Sequence, residues 1–160
     1  MICTVVHTAV KGNLVIRSLQ LSFFTILAMF VVLQLVPIER SNPAVTREIQ
    51  WDSQTTKTLA QRACYDCHSN ETTWPWYAYV APASWLVSRH VTDGRENLNF
   101  SEWNQPNGSP VAVLGTIRDG DMPLSEYVMM HPEARLTADE MRLLIEGLDR
   151  TMKADPPIKK

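Results

Sequence analysis

The chain has 160 residues, enough for one compact domain with an appended segment but short for two ordinary domains. Hydrophobic residues make up 45% and charged residues 20%, which is the composition of a globular protein. The formal net charge is −2 without a cluster of basic side chains, so we expect no nucleic-acid partner. The three cysteines, an odd number, do not form a disulfide framework.

The first predicted element is a membrane anchor. Residues 19–38 are uncharged and mostly apolar, and about 20 such residues in a helix span the hydrocarbon core of a bilayer. The run ends in Val36-Pro37-Ile38, without the small-x-small pattern of a cleaved signal peptide, which favours an uncleaved anchor. Residues 1–18, with Cys3 and His7, are then a short N-terminal tail, or they precede the true start.

A linker and a soluble domain follow the anchor. Residues 39–53 are polar with few apolar side chains, and Pro43 interrupts helical structure, so we expect a tether. We expect one domain over residues 54–152 and a C-terminal tail over residues 153–160.

Four helices are predicted in this domain, and no segment alternates in polarity as a strand does. The fold class is therefore predicted to be all-α, with terminal helices that can pack against each other. The predicted helices are one capped by Asp52 or Ser53 and running to about Cys64, one over residues 83–92 behind Pro82 and ended by Gly94, one over residues 111–118 opened by Ser109-Pro110 and closed by Gly120, and one opened by a capping box from Thr137 to Glu140.

The most informative motif is Cys64-Tyr65-Asp66-Cys67-His68. Two cysteines separated by two residues and followed by histidine form the attachment signature of c-type haem. The two thiols add to the vinyl groups of the porphyrin, and the adjacent imidazole binds the iron as proximal ligand. We therefore predict one covalently attached haem c, held by Cys64 and Cys67, with His68 as an iron ligand.

The alternatives for this motif are a zinc knuckle and a reversible disulfide. Zinc needs four ligands, and the sequence has no second Cys-x-x-Cys or His-x-x-x-His pair to supply the others. Covalent haem attachment takes place outside the bacterial cytoplasmic membrane. The motif therefore predicts a single-pass protein of that membrane with its haem domain in the periplasm.

Met122 is the candidate for the sixth coordination position of the iron. It follows Gly120, where the third helix ends, and Pro123 limits how far its backbone can move. A thioether opposite an imidazole raises the reduction potential of the iron. A methionine is also a common core filler, so Met129, Met130, His131 and His90 are rivals. His90, among apolar neighbours, is expected to be a hydrogen-bonded structural residue.

Aromatic residues crowd the sequence after the motif, and a porphyrin needs a large apolar wall. Trp103 has an indole N–H that could bond a haem propionate. Arg95, and less favourably Arg89, could pair with a propionate because a guanidinium matches carboxylate geometry. Arg95 and Trp103 are therefore candidate cofactor-binding residues.

The sequence resembles the bacterial membrane-anchored haem-binding domain family. The resemblance rests on Arg62 to Thr72, Trp74-Pro75-Trp76-Tyr77, Ala81-Pro82, Ser84-Trp85 and Leu98 to Trp103, and extends over about residues 42–148 with Met122-Pro123 and His131-Pro132. It implies a cytochrome c-like helical domain around one haem bound through Cys64, Cys67 and His68. It also implies Met122 as the distal ligand.

These features favour a membrane-anchored monohaem cytochrome that transfers electrons on the periplasmic side. Its expected partners are a membrane redox complex or a periplasmic electron-transfer protein, and membrane lipid around the N-terminal helix. The alternatives are a haem-based sensor or small-ligand-binding module, and a haem-bearing accessory subunit of a membrane redox complex. No nucleophile–base pair is visible, so an electron carrier is favoured over an enzyme.

Overall fold

The computed structural model describes residues 2–160, with side chains described from Val15 onward, so Cys3 and His7 have side chains outside the described part. The prediction of a mainly helical fold is confirmed. Over residues 2–160 the α-helices are α1 (Ile2–Leu33), α2 (Gln54–Ala63), α3 (Tyr65–His68), α4 (Ala83–Asn97), α5 (Pro110–Arg118), α6 (Ser125–Met130) and α7 (Ala138–Ala154). Short 3-10 helices cover Trp76–Tyr79 and Pro132–Ala134, and two-residue strands β1 (Pro106–Asn107) and β2 (Ile158–Lys159) pair in parallel.

Helix boundaries follow the capping residues seen in the sequence. The Ser53 side chain accepts a hydrogen bond from the Thr56 N–H at the start of α2, and Ser109 does the same for Ala112 in α5. At α7 the capping box is complete, because Thr137 and Glu140 each accept from the other's backbone N–H. Helix α7 packs against both α2 and α5.

Helix α4 is longer than the sequence predicts. It continues to Asn97, so the prediction that Gly94 ends this helix is wrong. The last turn is closed at Leu98, whose backbone N–H donates to the Gly94 carbonyl. Gly94 is buried and faces the turn at Cys67. Because glycine has no side chain, the backbones of α4 and of that turn can approach closely at this position.

Residues 39–53 do not form the expected tether. The segment is extended and hydrogen-bonded to the loop after α4: the Ile49 N–H donates to Phe100 O at 3.1 Å, and the Trp103 N–H donates to Arg47 O at 2.8 Å. Ile49 is 2% exposed and belongs to the hydrophobic core. The segment is therefore an ordered part of the domain.

The C-terminal residues are likewise part of the fold, where the sequence predicts a tail. The Asp155 carboxylate accepts from Arg47 Nη2 at 2.6 Å and from the Gln50 N–H at 3.0 Å. Strand β2 then pairs with β1. These contacts join the end of the chain to the segment that precedes α2.

The first helix contains a stretch whose length and composition would allow it to cross a membrane. Val15–Leu33 is long and apolar enough to cross a membrane, with a mean hydropathy of 1.9, and none of it is buried against the rest of the protein. The helix ends at Leu33 and the chain turns at residues 34–36, a few residues earlier than the predicted span over 19–38.

Acid is expected to weaken the contact between α2 and the start of α7. Arg62 Nη1 lies 2.8 Å from Glu140 Oε1, and this hydrogen bond, with the Thr137 N–H, lowers the pKa of Glu140 from 4.5 to about 2. The folded-state pKa is the lower one, so this stabilisation is present above pH 4.5 and is lost as the pH falls towards about 2.

Urea unfolding of the holoprotein at pH 7 and pH 3 measures this effect. The wild-type chain should lose more stability between the two pH values than Glu140→Gln, which has no carboxylate to protonate. Equal acid sensitivity of the two proteins would contradict the assignment.

Candidate functional site

A large cavity lies between α3, α4, α5, the loop at residues 122–124 and α7. Its volume is about 500 Å³, within the usual range for ligand sites of about 300 to 1,000 Å³. Its wall is mostly apolar and includes Ala63, Leu98, Phe100, Val113, Ile117, Leu124, Leu144 and Leu148. A large apolar group fits a cavity of this size and lining.

Both cysteines of the motif line this cavity. Helix α3 is a single turn in which the N–H groups of Cys67 and His68 donate to the Cys64 carbonyl at 3.1 and 2.9 Å. Helical spacing brings residues three and four apart to one face, so the turn presents Cys64, Cys67 and His68 together. The two thiols are free and half-buried.

The thiols are not activated as nucleophiles. Burial raises the pKa of Cys64 to about 12, and burial with the nearby Asp66 carboxylate raises the pKa of Cys67 to about 11. Both are protonated at neutral pH, whereas a redox dithiol carries a thiolate of lowered pKa. These raised pKa values favour a structural attachment role over disulfide exchange.

The His68 imidazole is held in one orientation by backbone carbonyls. Nδ1 lies 3.0 Å from both Gly94 O and Leu98 O, and since both partners are acceptors, Nδ1 carries the proton. Nε2 is then unprotonated and available to a metal, the arrangement typical of a histidine ligand. Burial also lowers the pKa of His68, which favours the neutral ring.

The residues that line this cavity fit a haem. The two thiols suit thioether links, the unprotonated Nε2 of His68 suits the iron, and the apolar lining suits the porphyrin. A family model described as a haem-binding domain matches residues 28–150. The chain belongs to this haem-binding domain family. The predicted haem-binding domain family is thereby confirmed, and membership of this family supports haem as the cofactor. Comparisons with curated proteins and with solved structures find no match.

Met122 is placed on the wall of the haem cavity. It follows Gly120, whose φ of 81° lies in the left-handed region that glycine tolerates, and its N–H donates to Thr116 O at 3.2 Å. The rival methionines Met129 and Met130 are 70% and 53% exposed and do not line the cavity. Met122 is therefore the methionine that the fold brings to the site.

The two rival histidines differ in position. His90 is half-buried and lines the haem cavity. Its imidazole has no hydrogen-bond partner among the described residues, whereas the sequence predicts a hydrogen-bonded structural role. His131 lies elsewhere, 2.7 Å from the Tyr77 hydroxyl and 3.1 Å from a Glu133 carboxylate oxygen. It links the two 3-10 helices.

Arg95 and Trp103, the predicted propionate partners, do not line the haem cavity. Arg95 donates to Ser69 O at 2.8 Å and to Ser41 O at 2.9 Å, and it also bonds Asn42 and Thr72. Trp103 is 0% exposed and its indole N–H donates to Asp155 O at 3.0 Å. Both hold loops around the motif together, and their contact with a haem propionate stays a prediction.

Two residues at the site were missed from the sequence. Tyr127 lines the haem cavity, and its hydroxyl donates to Asp66 Oδ2 at 2.8 Å. Asp66 lies between the two cysteines and also accepts from the Thr73 N–H at 2.9 Å. This contact joins α6, just beyond Met122, to the turn from Cys64 to His68, which we call the attachment turn because haem attachment is predicted there. The residues lie 61 positions apart, and no local pattern indicates the pair.

Proposed function

We propose that this protein is a membrane-anchored monohaem c-type cytochrome that transfers electrons on the periplasmic side of the membrane. One observation carries the proposal: the thiols of Cys64 and Cys67 and the imidazole of His68 share one wall of a single apolar cavity. Cys64 and Cys67 would hold the haem through thioether links, and His68 would bind its iron through Nε2.

The residues around the site suit an electron carrier. When bound, the haem supplies one-electron redox chemistry at its iron. Two carbonyls fix the His68 ring, and the Met122 backbone N–H donates to Thr116 O, so the ring and the loop that carries Met122 are both held by the fold. The apolar lining disfavours water next to a bound haem. A rigid, dry site lowers the reorganisation that accompanies electron transfer.

The anchor keeps the carrier at the membrane. The proposed partners are a membrane redox complex or a periplasmic electron-transfer protein within reach of that surface. Attachment to the bilayer raises the local concentration of the carrier near such a complex without any new contact.

Covalent attachment is tested by haem staining of the denatured full-length protein. Protein from cells with working cytochrome maturation should keep its colour on the gel. The double variant Cys64→Ala/Cys67→Ala should give a colourless band of the same length. A colourless wild-type band would overturn the c-type assignment while leaving haem binding itself in place.

Met122→Leu should remove the weak near-infrared sulfur-to-iron band of the oxidised holoprotein. Leucine replaces the thioether at similar volume, so packing should change by less than about 1.5 kcal/mol. The matched control is Met129→Leu, an exposed methionine outside the haem cavity, whose spectrum should equal that of the wild type. A band that survives in Met122→Leu would contradict the ligand assignment.

His90 favours a second candidate function, a small-ligand-binding module. An imidazole on the cavity wall is the kind of group that acid–base chemistry at a bound ligand needs. This function requires an open sixth position, so the reduced wild-type protein would bind carbon monoxide readily. A spectrum that does not change with carbon monoxide favours the electron carrier.

A further inference from the structure

The end of the membrane-crossing helix is seated on the haem domain. Gln34, directly after the span, accepts from the Ala81 N–H at 2.9 Å and donates to the Ala81 carbonyl at 3.4 Å. Six residues later, Arg40 Nη1 donates to Ala78 O at 3.1 Å. Both partners belong to the segment formed by the Trp76–Tyr79 3-10 helix and the two residues after it.

These contacts set the height of that segment above the membrane. The span Val15–Leu33 has 19 residues. At about 1.5 Å per residue it covers nearly all of the roughly 30 Å hydrocarbon core. Gln34 therefore lies at the boundary between the hydrocarbon and the headgroups, and Ala81 lies beside it. The headgroup region adds about 5 to 7 Å on each side of the core, so residues next to Ala81 fall within it.

Large apolar side chains are exposed at this level. Leu35 is 76% exposed, Trp76 76%, Tyr79 57% and Val80 37%; we call these four residues the interfacial patch. Tryptophan and tyrosine are enriched at membrane–water interfaces, where an apolar ring with a polar edge is well solvated.

A cation lies beside the aromatic residues. The Arg40 guanidinium carbon is 4.7 Å from the centre of the Tyr79 ring, and Arg40 is half-buried. An arginine at this height is favourably placed to pair with the phosphate groups of phospholipids, because its planar guanidinium matches phosphate geometry. The charge and the aromatic residues thus suit the same neighbour.

We propose that the interfacial patch inserts into the headgroup region of the bilayer and holds the haem domain against the membrane in one orientation. This inference rests on the proposed anchoring of the chain through α1. It goes beyond that anchoring, because a chain anchored through α1 alone can hold its haem domain away from the bilayer, with the interfacial patch in water. The molecules that cover the interfacial patch are phospholipids, since the bilayer that surrounds the span already reaches the height of Ala81.

Spin labels in single-copy nanodiscs test the proposal with the full-length, reduced holoprotein. A Cys3→Ser background receives Trp76→Cys or Tyr79→Cys, with Val111→Cys as the matched control. Val111 is 82% exposed on α5, a helix that packs on α7. The disc contains phosphatidylethanolamine and phosphatidylglycerol and one protein copy, so no protein partner is present to cover the patch.

The labels at positions 76 and 79 should collide more often with oxygen and less often with a water-soluble nickel complex than the label at position 111. A ratio of oxygen to nickel collisions that is higher at positions 76 and 79 than at position 111 supports the insertion. Water-like ratios at positions 76 and 79, in protein that resists extraction with carbonate, would overturn the patch proposal alone and leave the face to a protein partner. Release of the chain by carbonate would overturn the anchoring and the insertion together.

Discussion

Gly94→Ala should sharply reduce the fraction of protein that carries covalent haem. A methyl group at Gly94 would overlap the Cys67 carbonyl oxygen and lie 3.0 Å from its carbon and 3.1 Å from Cys67 Cβ. Backbone atoms cannot rotate away as a flexible side chain does, so α4 or the attachment turn must move. Since Gly94 O also accepts from His68 Nδ1, the same movement displaces the imidazole.

The change in folding stability caused by Gly94→Ala is the sum of two opposing contributions. Alanine in a helix interior is favoured over glycine by about 1 kcal/mol. Overpacking costs about 1–3 kcal/mol or more, and here it falls on rigid backbone at the attachment site. We therefore expect a net loss of stability and, more severely, a loss of attachment geometry.

Gly115→Ala is the matched control. Gly115 lies within α5, and an added methyl group there meets no atom within 4 Å. This variant should carry a full complement of haem and gain up to about 1 kcal/mol of stability. Haem stain per unit of protein, compared among the three proteins, measures the difference. A fully haem-loaded Gly94→Ala would contradict the role given to this close approach.

Gly147→Ala should destabilise the protein by about 2 kcal/mol through the contact between α2 and α7. The added methyl group would overlap Thr56 Oγ1 and lie 2.7 Å from Thr56 Cγ2. Thr56 is 2% exposed, β-branched, and hydrogen-bonded to the Ser53 hydroxyl at 2.9 Å, so its side chain has little freedom to rotate. An overpacking cost of about 3 kcal/mol outweighs the gain in helix propensity of about 1 kcal/mol.

A double-mutant cycle separates this clash from a general effect of Gly147. Thr56→Ala removes the two atoms that overlap most, so Gly147→Ala should cost less in that background than in the wild type. Urea unfolding of the four holoproteins measures the coupling. Additive costs would show that the loss does not arise between Gly147 and Thr56.

Much of the site could be predicted because its signals are local. Cys64, Cys67 and His68 follow one another within a single helical turn, so their spacing alone brings them to one face. The side chains of Ser53, Ser109 and Thr137 each cap an N–H group three residues away, and the helix starts were predicted for the same reason. The haem-binding family agrees with this local pattern.

The extended segments were misjudged because their partners are distant in the chain. Residues 39–53 carry few apolar side chains, yet Ile49 bonds to Phe100 and Arg47 to Asp155. Such bonds satisfy backbone and side-chain groups through residues about 50 to 100 positions away, which no window of local sequence records. The contact between Tyr127 and Asp66 could not be predicted for the same reason, since the two residues lie 61 positions apart in the chain.

By itself, the sequence determined the attachment motif, the apolar first helix and the helical character of the domain, because each depends on neighbours within a few residues. The tertiary structure decided how individual side chains are used. Arg95 and Trp103 have donors that suit a propionate, but packing directs those donors to backbone carbonyls. Gly94 has the residue type of a helix end, but the approach of Cys67 places it inside α4. Residue type limits what a side chain can do, and only its neighbours in space select among those uses.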